Sequence, residues 1–435
     1  MASKSEFTVK DAYVYNRSRP LRWIMSHVWR YKWFLIANAC LYLVAWISFS
    51  YSQVMFGVAA EEIIHPTRPD GLVIIGIIVL VLRVLDGGCG LLSALSLETI
   101  AQRLARDSRQ ELYTSLLGKS QTFHNRQRVG DIMARATDDV NQMNAMINPG
   151  VLFISDTTLG IFMPLLMIAM LDYHLLLVPL LFVASYILTV RTYSRRLQPV
   201  VNSQRGSFGA MNAGLEETIS GIEVVKASAR ENFEREKFRR NARTFRDWFA
   251  KQGQVEATYL PMLFYGFAFG LTFLHSMYLN QIGQITIPQV ISVMALMAVL
   301  RFPVFISVFS FSLVQLGIAS AERILSIINT ETDMDENQVG YQAEIKGDIR
   351  FENVTFGDEI GMVLENISFH VRPGETLAIV GQTGSGKSKL TELINRTYDV
   401  TEGQVLIDGK DVREWSLASL RSQISRIEQD VFLFS

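Results

Sequence analysis

The sequence Gly381-Gln382-Thr383-Gly384-Ser385-Gly386-Lys387-Ser388 decides the fold class of the C-terminal part of the chain. It fits the pattern G-x-x-x-x-G-K-[ST], in which a glycine-rich turn joins a strand to a helix and wraps around phosphate groups. An apolar run over residues 376–380 precedes it, and a helix-like run over residues 387–395 follows it. We therefore predict a phosphate-binding loop in an α/β nucleotide domain, with a glycine-rich turn that binds nothing as the alternative.

Each residue type in this loop has a chemical task. Glycines let backbone N–H groups point at phosphate oxygens, and the following helix adds the positive end of its dipole. Lys387 is predicted to neutralise the β- and γ-phosphates of ATP, and the Ser388 hydroxyl is predicted to ligate Mg²⁺. The predicted nucleotide-binding residues are Gly381, Gln382, Thr383, Gly384, Ser385, Gly386, Lys387, Ser388 and Lys389.

Upstream of Ser320 the chain is unusually apolar. It has 435 residues, of which 49% are hydrophobic, and its formal net charge of −1 gives no attraction to nucleic acid. Runs of about 20 apolar residues are long enough to cross a bilayer as helices, whereas a soluble bundle would show polar faces at helical spacing. We predict six membrane spans, at residues 33–56, 72–95, 151–171, 174–190, 257–279 and 287–316.

Basic residues distinguish the connections between the predicted spans. Segments 96–148 and 191–254 are long and rich in arginine, whereas the connection at 280–286 carries no Lys or Arg. The positive-inside rule places both long segments and both termini in the cytoplasm, in a multi-pass protein of the cell membrane. Each long segment reads as two helices with a break at its tip beneath the membrane. The predicted breaks are at Gly118, Gly130, Gly214 and Gly221.

The sequence predicts four successive parts. Residues 1–32 carry arginines interleaved with apolar residues, which predicts an amphipathic elbow helix on the membrane surface; a solvated basic tail is the alternative. The span region covers 33–320, and an acidic linker follows over 321–346. Residues 347–435 form the nucleotide domain. Period-two alternation there predicts strands at 349–356, 367–371 and 405–407, a buried strand at 377–380, and a short helix at 416–422.

Further motifs resemble one family, the ATP-binding-cassette (ABC) exporters of the six-helix multidrug type, over nearly the whole chain. In the two cytoplasmic segments the resemblance rests on Gly130-Asp131-Ile132-Met133-Ala134-Arg135 and Glu217-Thr218-Ile219-Ser220-Gly221. Downstream it rests on Ser419-Leu420-Arg421 and Ile427-Glu428-Gln429-Asp430-Val431. It implies an α-helical polytopic membrane domain with six transmembrane helices, followed by an incomplete α/β P-loop nucleotide-binding domain.

The resemblance also implies roles for particular residues. Gln429 would be the glutamine of the loop that joins the catalytic core to a helical subdomain, with its amide oxygen near Mg²⁺ or the attacking water. Gln429 and Lys387 would be the catalytic residues, and Gln429 and Ser388 would be the Mg²⁺ ligands. Two coupling helices would lie near residues 117–125 and 220–229. A chance glutamine in an edge segment is the alternative for Gln429.

Three departures from the family pattern modify these expectations. Asp358 stands where an aromatic residue usually stacks on adenine, so base binding is expected to be weaker or to use Phe356. Lys389 stands where Thr is customary, and its ammonium could reach an α-phosphate. After Ser388 the sequence shows no LSGGQ-like signature, no apolar run ending in Asp-Glu and no switch histidine. The 435 residues are therefore expected to be a fragment that does not hydrolyse ATP by itself.

Charged and aromatic residues within the spans are candidates for a transport pathway. Arg83 and Asp86 lie one helical turn apart and are predicted to pair inside the protein, with a substrate site as the alternative. Arg301 has no partner nearby in sequence and is the better candidate for lining the pathway. An aromatic pocket for a drug or lipid is predicted in spans 5 and 6, with lipid-facing packing as the alternative. Its candidates are Phe264, Tyr265, Phe267, Phe269, Phe273, Phe302, Phe305, Phe309 and Phe311.

These observations predict ATP-driven export of a small lipophilic or amphipathic substrate by a half-transporter. It would work as a homodimer or heterodimer with a second half-transporter, in contact with membrane lipid and without a nucleic acid partner. ABC-type ATPase activity is expected only of the complete protein. One alternative is a non-hydrolytic, ATP-binding regulatory subunit or nucleotide-gated channel of a heterodimer. Another is an incomplete reading frame without a function of its own.

Overall fold

A computed structural model describes residues 4–9, 13–258, 261–358 and 361–427, excluding the side chains of residues 307, 308 and 358. The chain divides into two compact units. The membrane unit consists of Tyr31–Ala101 and Ala145–Leu316. The mixed unit consists of Met1–Arg30, Gln102–Asn144 and Gly317–Ser435 and contains the strands.

Helices account for most of the described chain. The α-helices are α1 (Pro20–Trp29), α2 (Lys32–Ile64), α3 (Gly71–Leu117), α4 (Gln121–Arg126), α5 (Val129–Ala134), α6 (Val140–Ala145), α7 (Leu152–Leu171), α8 (Leu177–Ser220), α9 (Ile222–Ala227), α10 (Glu231–Ala257), α11 (Pro261–Gln281), α12 (Ile287–Val299), α13 (Arg301–Asn329), α14 (Lys387–Ile394) and α15 (Leu417–Ser422). Two π-helical turns, Arg135–Asp139 and Met146–Val151, and a 3₁₀ turn, Tyr173–Leu176, connect some of them.

Six helical stretches are long and apolar enough to cross a membrane, which confirms the predicted number of spans. Spans 1 to 6 are Lys32–Ile64, Gly71–Leu117, Val129–Leu171, Tyr173–Ser220, Glu231–Gln281 and Ile287–Asn329. Span 2 has 47 residues, and at about 1.5 Å per residue its helix is roughly 70 Å long. Since the hydrocarbon core of a bilayer is about 30 Å thick, such a helix must extend well beyond the membrane.

The core of the membrane unit forms where α12 packs against α2. Val293, Leu296 and Met297 are completely buried. A side chain at Gly57 would lie 2.0 Å from the Ser292 hydroxyl oxygen, so only glycine lets the two helices approach this closely. The Ser292 hydroxyl donates a 3.0 Å hydrogen bond to the carbonyl oxygen of Val54, which joins the helices at the same point.

Span 6 is interrupted between α12 and α13. Helix α12 ends at Val299, Leu300 is fully buried, and α13 begins at Arg301. Pro303 lies in the first turn of α13. A proline has no N–H to donate to the carbonyl four residues earlier, and its ring collides with that carbonyl. The residue four before Pro303 is Val299, the last residue of α12, so the proline explains why the first helix ends there.

Only half of the predicted glycine breaks occur. Helix α3 ends just before Gly118 and α8 ends just before Gly221, as predicted. The predicted breaks at Gly130 and Gly214 are wrong, because these residues lie inside α5 and α8. A glycine inside a helix costs only about 1 kcal/mol relative to alanine, which packing can offset. A Cβ at Gly214 would lie 3.2 Å from the Asn241 side chain, where α8 and α10 pack closely.

The region of the predicted elbow contains a helix, α1. Trp23 and His27 on one face are fully buried, whereas Trp29 is 62% exposed. Both buried side chains contact the Glu111 carboxylate of α3, Trp23 Nε1 at 2.9 Å and His27 Nε2 at 3.0 Å. The Arg17 guanidinium donates to the other oxygen of Glu111 at 2.7 Å. Placement of this helix on a membrane surface stays a prediction.

Four antiparallel strands form the sheet described in the mixed unit. They are β1 (Ile349–Asp358), β2 (Gly361–Val371), β3 (Glu402–Ile407) and β4 (Lys410–Asp411), in the order β2-β1-β3-β4. Phe351 of β1 pairs with Phe369 of β2 and with Val405 of β3. Phe351, Val405 and Trp415 are almost completely buried in the core beneath. The predicted strands at 349–356, 367–371 and 405–407 and the helix at 416–422 are therefore confirmed.

The predicted buried strand at 377–380 is wrong. These residues have no strand conformation, and Leu377, Ile379 and Val380 are 49%, 38% and 89% exposed. A strand needs a neighbour to satisfy its backbone N–H and C=O groups. Within the described part of the chain, no strand pairs with this segment. Its apolar side chains therefore remain at the surface.

Candidate functional site

The glycine-rich loop adopts a backbone that few other residues could follow. Gly384 and Gly386 have φ angles of +86° and +84°, in the left-handed region that favours glycine. Gly386 is the N-cap of α14, which begins at Lys387. The first-turn N–H groups of that helix therefore remain open at the end of the loop. The predicted junction between loop and helix is confirmed, although the strand predicted before it is absent.

The Lys387 side chain folds back onto the first residues of its own loop. Its Nζ donates hydrogen bonds to the carbonyl oxygens of Gly381 at 2.9 Å and Gln382 at 2.7 Å. An ammonium group has three protons, so one remains for an anion. The Ser388 hydroxyl is exposed and hydrogen-bonds to none of the residues that the structure describes. It is therefore accessible to a cation.

Two of the loop glycines leave no room for a Cβ, so the backbone can pack closely on itself and on β2. A Cβ at Gly381 would lie 2.7 Å from the Ser385 hydroxyl oxygen. A Cβ at Gly386 would lie 2.8 Å from Leu364 Cδ2 and 3.2 Å from the Val363 carbonyl oxygen. Helix N-termini combined with nests of backbone N–H groups bind phosphate and other anions. The residues present therefore suit a nucleotide phosphate.

Substitution of Gly386 by alanine should destabilise the mixed unit more than substitution of Gly384. Both glycines have positive φ, which costs an alanine about 1 kcal/mol. Only at Gly386 would the new methyl also collide with Leu364 and Val363, so we expect a loss of roughly 2 to 3 kcal/mol there. Equilibrium unfolding of both variants would measure the difference. Equal losses would contradict the packing described for Gly386.

Lys389 points toward the body of the domain. Its Nζ lies 2.8 Å from Glu392 Oε2 and 4.2 Å from the centre of the Tyr398 ring. Burial disfavours the ammonium charge, but the hydrogen bond and charge of Glu392 outweigh burial and raise the pKa of Lys389. Arg426 also contacts Glu392, at 3.2 Å. Contact between Lys389 and an α-phosphate therefore stays a prediction, and reaching one would require leaving these partners.

Tyr398 connects the loop helix with α4. The Asn125 side-chain amide of α4 donates a 2.8 Å hydrogen bond to the Tyr398 hydroxyl oxygen. The Nζ of Lys389, one residue after Ser388, lies over the same ring. Helix α4 overlaps the range predicted for the first coupling helix, residues 117–125. Sequence reasoning missed Tyr398, because a single tyrosine between a helix and a strand carries no pattern.

The other predicted site residues are not brought together by the described structure. Phe356 is only 5% exposed and packs in the sheet core, with its ring centre 5.5 Å from that of Tyr398. Adenine could not stack on Phe356, so this part of the prediction is wrong. The Asp358 side chain and Gln429 lie outside the described residues, and their roles stay predictions.

The second predicted coupling region contains α9, a short helix in the membrane unit. None of its residues is buried, and Ile222 and Val224 are 44% and 69% exposed. Helices α8 and α10 carry it, and the Lys237 ammonium of α10 lies 2.7 Å from the Glu217 carboxylate of α8. The membrane unit therefore presents a small apolar surface at the tip of a helical pair.

A cavity of about 750 Å³ lies within the membrane unit, between spans 1, 2, 3, 5 and 6. It is lined by Tyr42, Ala45, Trp46, Phe49, Asp86, Gly90, Asp156, Met262, Ala298, Val299, Arg301, Phe302 and Phe305. Arg301 lines this cavity, whereas its place in a transport pathway stays a prediction, and the Arg83–Asp86 pair is confirmed at 3.6 Å. Of the predicted aromatic residues, Phe302 and Phe305 line it, whereas Tyr265 packs in the core.

Comparisons with known proteins match both parts of the chain. The family model of the ABC transporter transmembrane region matches residues 34–304, and that of the ABC transporter family matches residues 364–435. The chain is 28% identical over 405 residues to an ATP-dependent lipid A-core flippase of Syntrophus aciditrophicus (strain SB), which covers 92% of this chain and 67% of the relative.

Two further proteins extend the comparison. An uncharacterized ABC transporter ATP-binding protein, YknU, of Bacillus subtilis (strain 168) is 29% identical over 332 residues, which cover 75% of this chain and 57% of that protein. A solved structure of a bacterial Atm1-family ABC exporter with ATP bound superposes with a TM-score of 0.69. It is 19% identical, and the match covers 90% of this chain and 70% of the other. This likeness concerns the fold.

Proposed function

Because this chain belongs to the ABC transporter family, we propose that the whole protein exports an amphipathic substrate across a membrane at the expense of ATP. The observation that carries this proposal is the presence in one chain of six membrane-spanning helices and a phosphate-binding loop. A lipophilic or amphipathic substrate is supported by the cavity in the membrane unit, whose wall is mostly aromatic and apolar. The flippases to which the chain is similar act on a lipid, as their names state.

The loop residues would hold the nucleotide. Bound ATP with Mg²⁺ supplies a phosphoanhydride whose binding and hydrolysis release free energy. Lys387 would donate a hydrogen bond from its remaining N–H to the terminal phosphates, and the open N–H groups at the start of α14 would point at phosphate oxygens. The accessible Ser388 hydroxyl would ligate Mg²⁺. Gln429 is proposed to position the attacking water, as its place in the family motif implies.

Movement would pass from the nucleotide to the spans through the coupling helices. Within the mixed unit, the Asn125–Tyr398 hydrogen bond joins α4 to the segment that follows the loop helix, and Lys389 joins the same tyrosine to the loop helix itself. A ligand can shift a conformational equilibrium only by its differential affinity for the two states. Tighter nucleotide binding in one state would therefore favour one arrangement of the spans.

We propose that the whole protein works as a dimer of half-transporters, as a homodimer or a heterodimer. Its nucleotide domain and both termini would lie in the cytoplasm of the cell. The arginine-rich segments 96–148 and 191–254 support this orientation through the positive-inside rule. The proposed parts are the elbow region at 1–32, the spans at 33–320, the linker at 321–346 and the nucleotide domain from 347.

A second candidate function is a regulatory subunit that binds ATP without hydrolysing it. Asp358 favours this alternative, because a carboxylate offers no aromatic face to adenine. Phe356 cannot replace the missing ring, since it is buried in the core. Poor discrimination between ATP and GTP, together with no turnover, would support this alternative.

Reconstitution of the whole protein in lipid vesicles tests the proposed export. A fluorescent lipid or dye should move across the bilayer when ATP and Mg²⁺ are added on the side of the nucleotide domain. Movement should not occur when ATP is absent, and a non-hydrolysable analogue should not sustain it. ATP hydrolysis without movement of any amphiphile, or no hydrolysis at all, would contradict export as the function.

A further inference from the structure

The cavity in the membrane unit combines an apolar wall with a few charged groups. Trp46 and Phe49 of span 1 and Phe302 and Phe305 of span 6 supply aromatic surface. A volume of about 750 Å³ lies in the range of small-molecule sites, roughly 300 to 1,000 Å³. It could hold a polar headgroup and the first part of an apolar chain. The charged residues in the cavity wall determine which kind of headgroup can bind.

One acidic residue of the cavity is already neutralised. Asp86 lies 3.6 Å from Arg83, one turn earlier on α3. The Arg83 guanidinium is held in turn over the Phe49 ring, at 4.6 Å from the ring centre. Arg83 therefore has an acidic and an aromatic partner from the protein itself. This pair leaves no net charge for a ligand to balance.

Asp156 on span 3 has a polar partner but no cationic one. The Tyr42 hydroxyl of span 1 donates a hydrogen bond to its Oδ1. This hydrogen bond holds the half-buried carboxylate at the cavity wall. In the described part of the chain, no Lys, Arg or His forms an ion pair with Asp156.

Arg301 on span 6 lines the same cavity. Among residues 4–9, 13–258, 261–358 and 361–427, none forms a hydrogen bond or ion pair with its guanidinium. Arg301 and Asp156 therefore face one cavity without contacting each other. Within a membrane, charged side chains usually face a counter-charge or a water-filled cavity, because a lone charge in hydrocarbon is costly.

We propose that this cavity binds amphiphiles with a zwitterionic headgroup, with the cationic group at Asp156 and the anionic group at Arg301. The apolar chain would lie along Trp46, Phe302 and Phe305. A purely anionic headgroup would leave Asp156 without a counter-charge. A purely cationic headgroup would leave Arg301 without a counter-charge. This inference rests on the proposed function, because it names the class of substrate that the exporter carries.

Three amphiphiles with the same dodecyl chain provide the test. They are dodecylphosphocholine, which is zwitterionic, dodecyltrimethylammonium, which is cationic, and dodecyl phosphate, which is anionic. Their binding to the whole protein in phosphatidylglycerol nanodiscs can be measured by displacement of a fluorescent phosphocholine, without ATP. We expect the zwitterion to bind about tenfold more tightly than either singly charged compound, since each would lose one charge-assisted contact.

Two substitutions assign the two charges. Asp156→Asn should weaken binding of the zwitterion and the cation about tenfold and leave the anion unchanged. Arg301→Gln should weaken binding of the zwitterion and the anion to a similar extent and leave the cation unchanged. Asp172→Asn is the matched control, because Asp172 follows the same helix as Asp156 and does not line the cavity. It should change none of the three affinities.

Several results would overturn the inference. One is equal binding of dodecyl phosphate and dodecylphosphocholine together with no effect of Asp156→Asn. Another is unchanged binding of all three compounds in both variants, which would place the binding site elsewhere. If one variant does not fold, the other still tests one charge of the headgroup: Asp156→Asn tests the cationic group and Arg301→Gln tests the anionic group. Because binding is measured without ATP, failure here leaves export untouched, whereas absent ATP-driven transport with selective binding would overturn the proposed function alone.

Discussion

Replacement of Lys387 by alanine should abolish ATP hydrolysis by the whole protein and weaken ATP binding. The ammonium has two tasks. It stabilises the loop by donating hydrogen bonds to the carbonyl oxygens of Gly381 and Gln382 at 2.9 and 2.7 Å. We propose that its third proton binds a phosphate oxygen of ATP. Alanine removes both, and loss of one preorganised donor at a developing charge typically lowers kcat by about 100- to 1,000-fold. We expect a loss of at least that size.

A second lysine of the same helix supplies the control. Lys389 is held by Glu392 and Tyr398 and lies two residues after Lys387. Lys389→Thr should lower ATP affinity less than Lys387→Ala, by less than about tenfold. Steady-state hydrolysis and equilibrium binding of a fluorescent ATP analogue would measure both variants. Unchanged turnover in Lys387→Ala would refute the role given to that lysine. A large loss in Lys389→Thr would instead show that its ammonium reaches a phosphate.

Replacement of Glu111 by alanine should strongly destabilise the mixed unit. Its carboxylate is 7% exposed and bonds to Arg17, Trp23 and His27. The Trp23 and His27 side chains are fully buried, so the change would leave two buried nitrogens without their carboxylate partner. Removing one partner of a buried, charge-assisted network typically costs about 3 to 5 kcal/mol. The elbow helix would then lose the contacts that hold it to α3.

Thermal unfolding in detergent would measure this loss, with the fluorescence of tryptophans such as Trp23 as the signal. Glu111→Gln should fall between the wild type and alanine, because its amide oxygen can still accept one hydrogen bond. Glu322→Ala is the control, since Glu322 is exposed and forms no hydrogen bond or ion pair in the described part of the chain. A midpoint for Glu111→Ala within a degree of the control would contradict the network.

Local patterns predicted most of the fold. The family resemblance, the six spans and the exporter-type membrane domain followed by a P-loop nucleotide-binding domain are confirmed. Apolar length identifies a span, and period two identifies a paired strand, because both are properties of one segment. The wrong strand prediction at 377–380 shows what local patterns cannot predict. Those residues have the composition of a buried strand, but burial requires a neighbouring strand, which no local pattern supplies.

The candidate sites were less predictable, because they join residues that are distant in sequence. The motif identified Lys387 and Ser388, since the loop is a single segment. Asn125 and Tyr398 are 273 residues apart, and only the fold brings them into hydrogen-bond contact. The cavity is similar: Arg301 was identified as a charge without a local partner, but Asp156 was missed. Its relation to Tyr42, 114 residues earlier, depends on the packing of spans 1 and 3.

The interruption of span 6 at Leu300 places a hinge between α12 and α13. An unbroken helix transmits a rotation along its whole length, whereas two helices joined at a proline can turn separately. Helix α12 is fixed by its packed contacts around Met297, while α13 begins with Arg301 and carries Phe305 into the cavity. Turning α13 about Leu300 would change the distance from Arg301 to Asp156, and it would also move Val304 of α13, which is fully buried in the same core. Release of a bound headgroup would therefore be coupled to a local rearrangement of the core of the membrane unit.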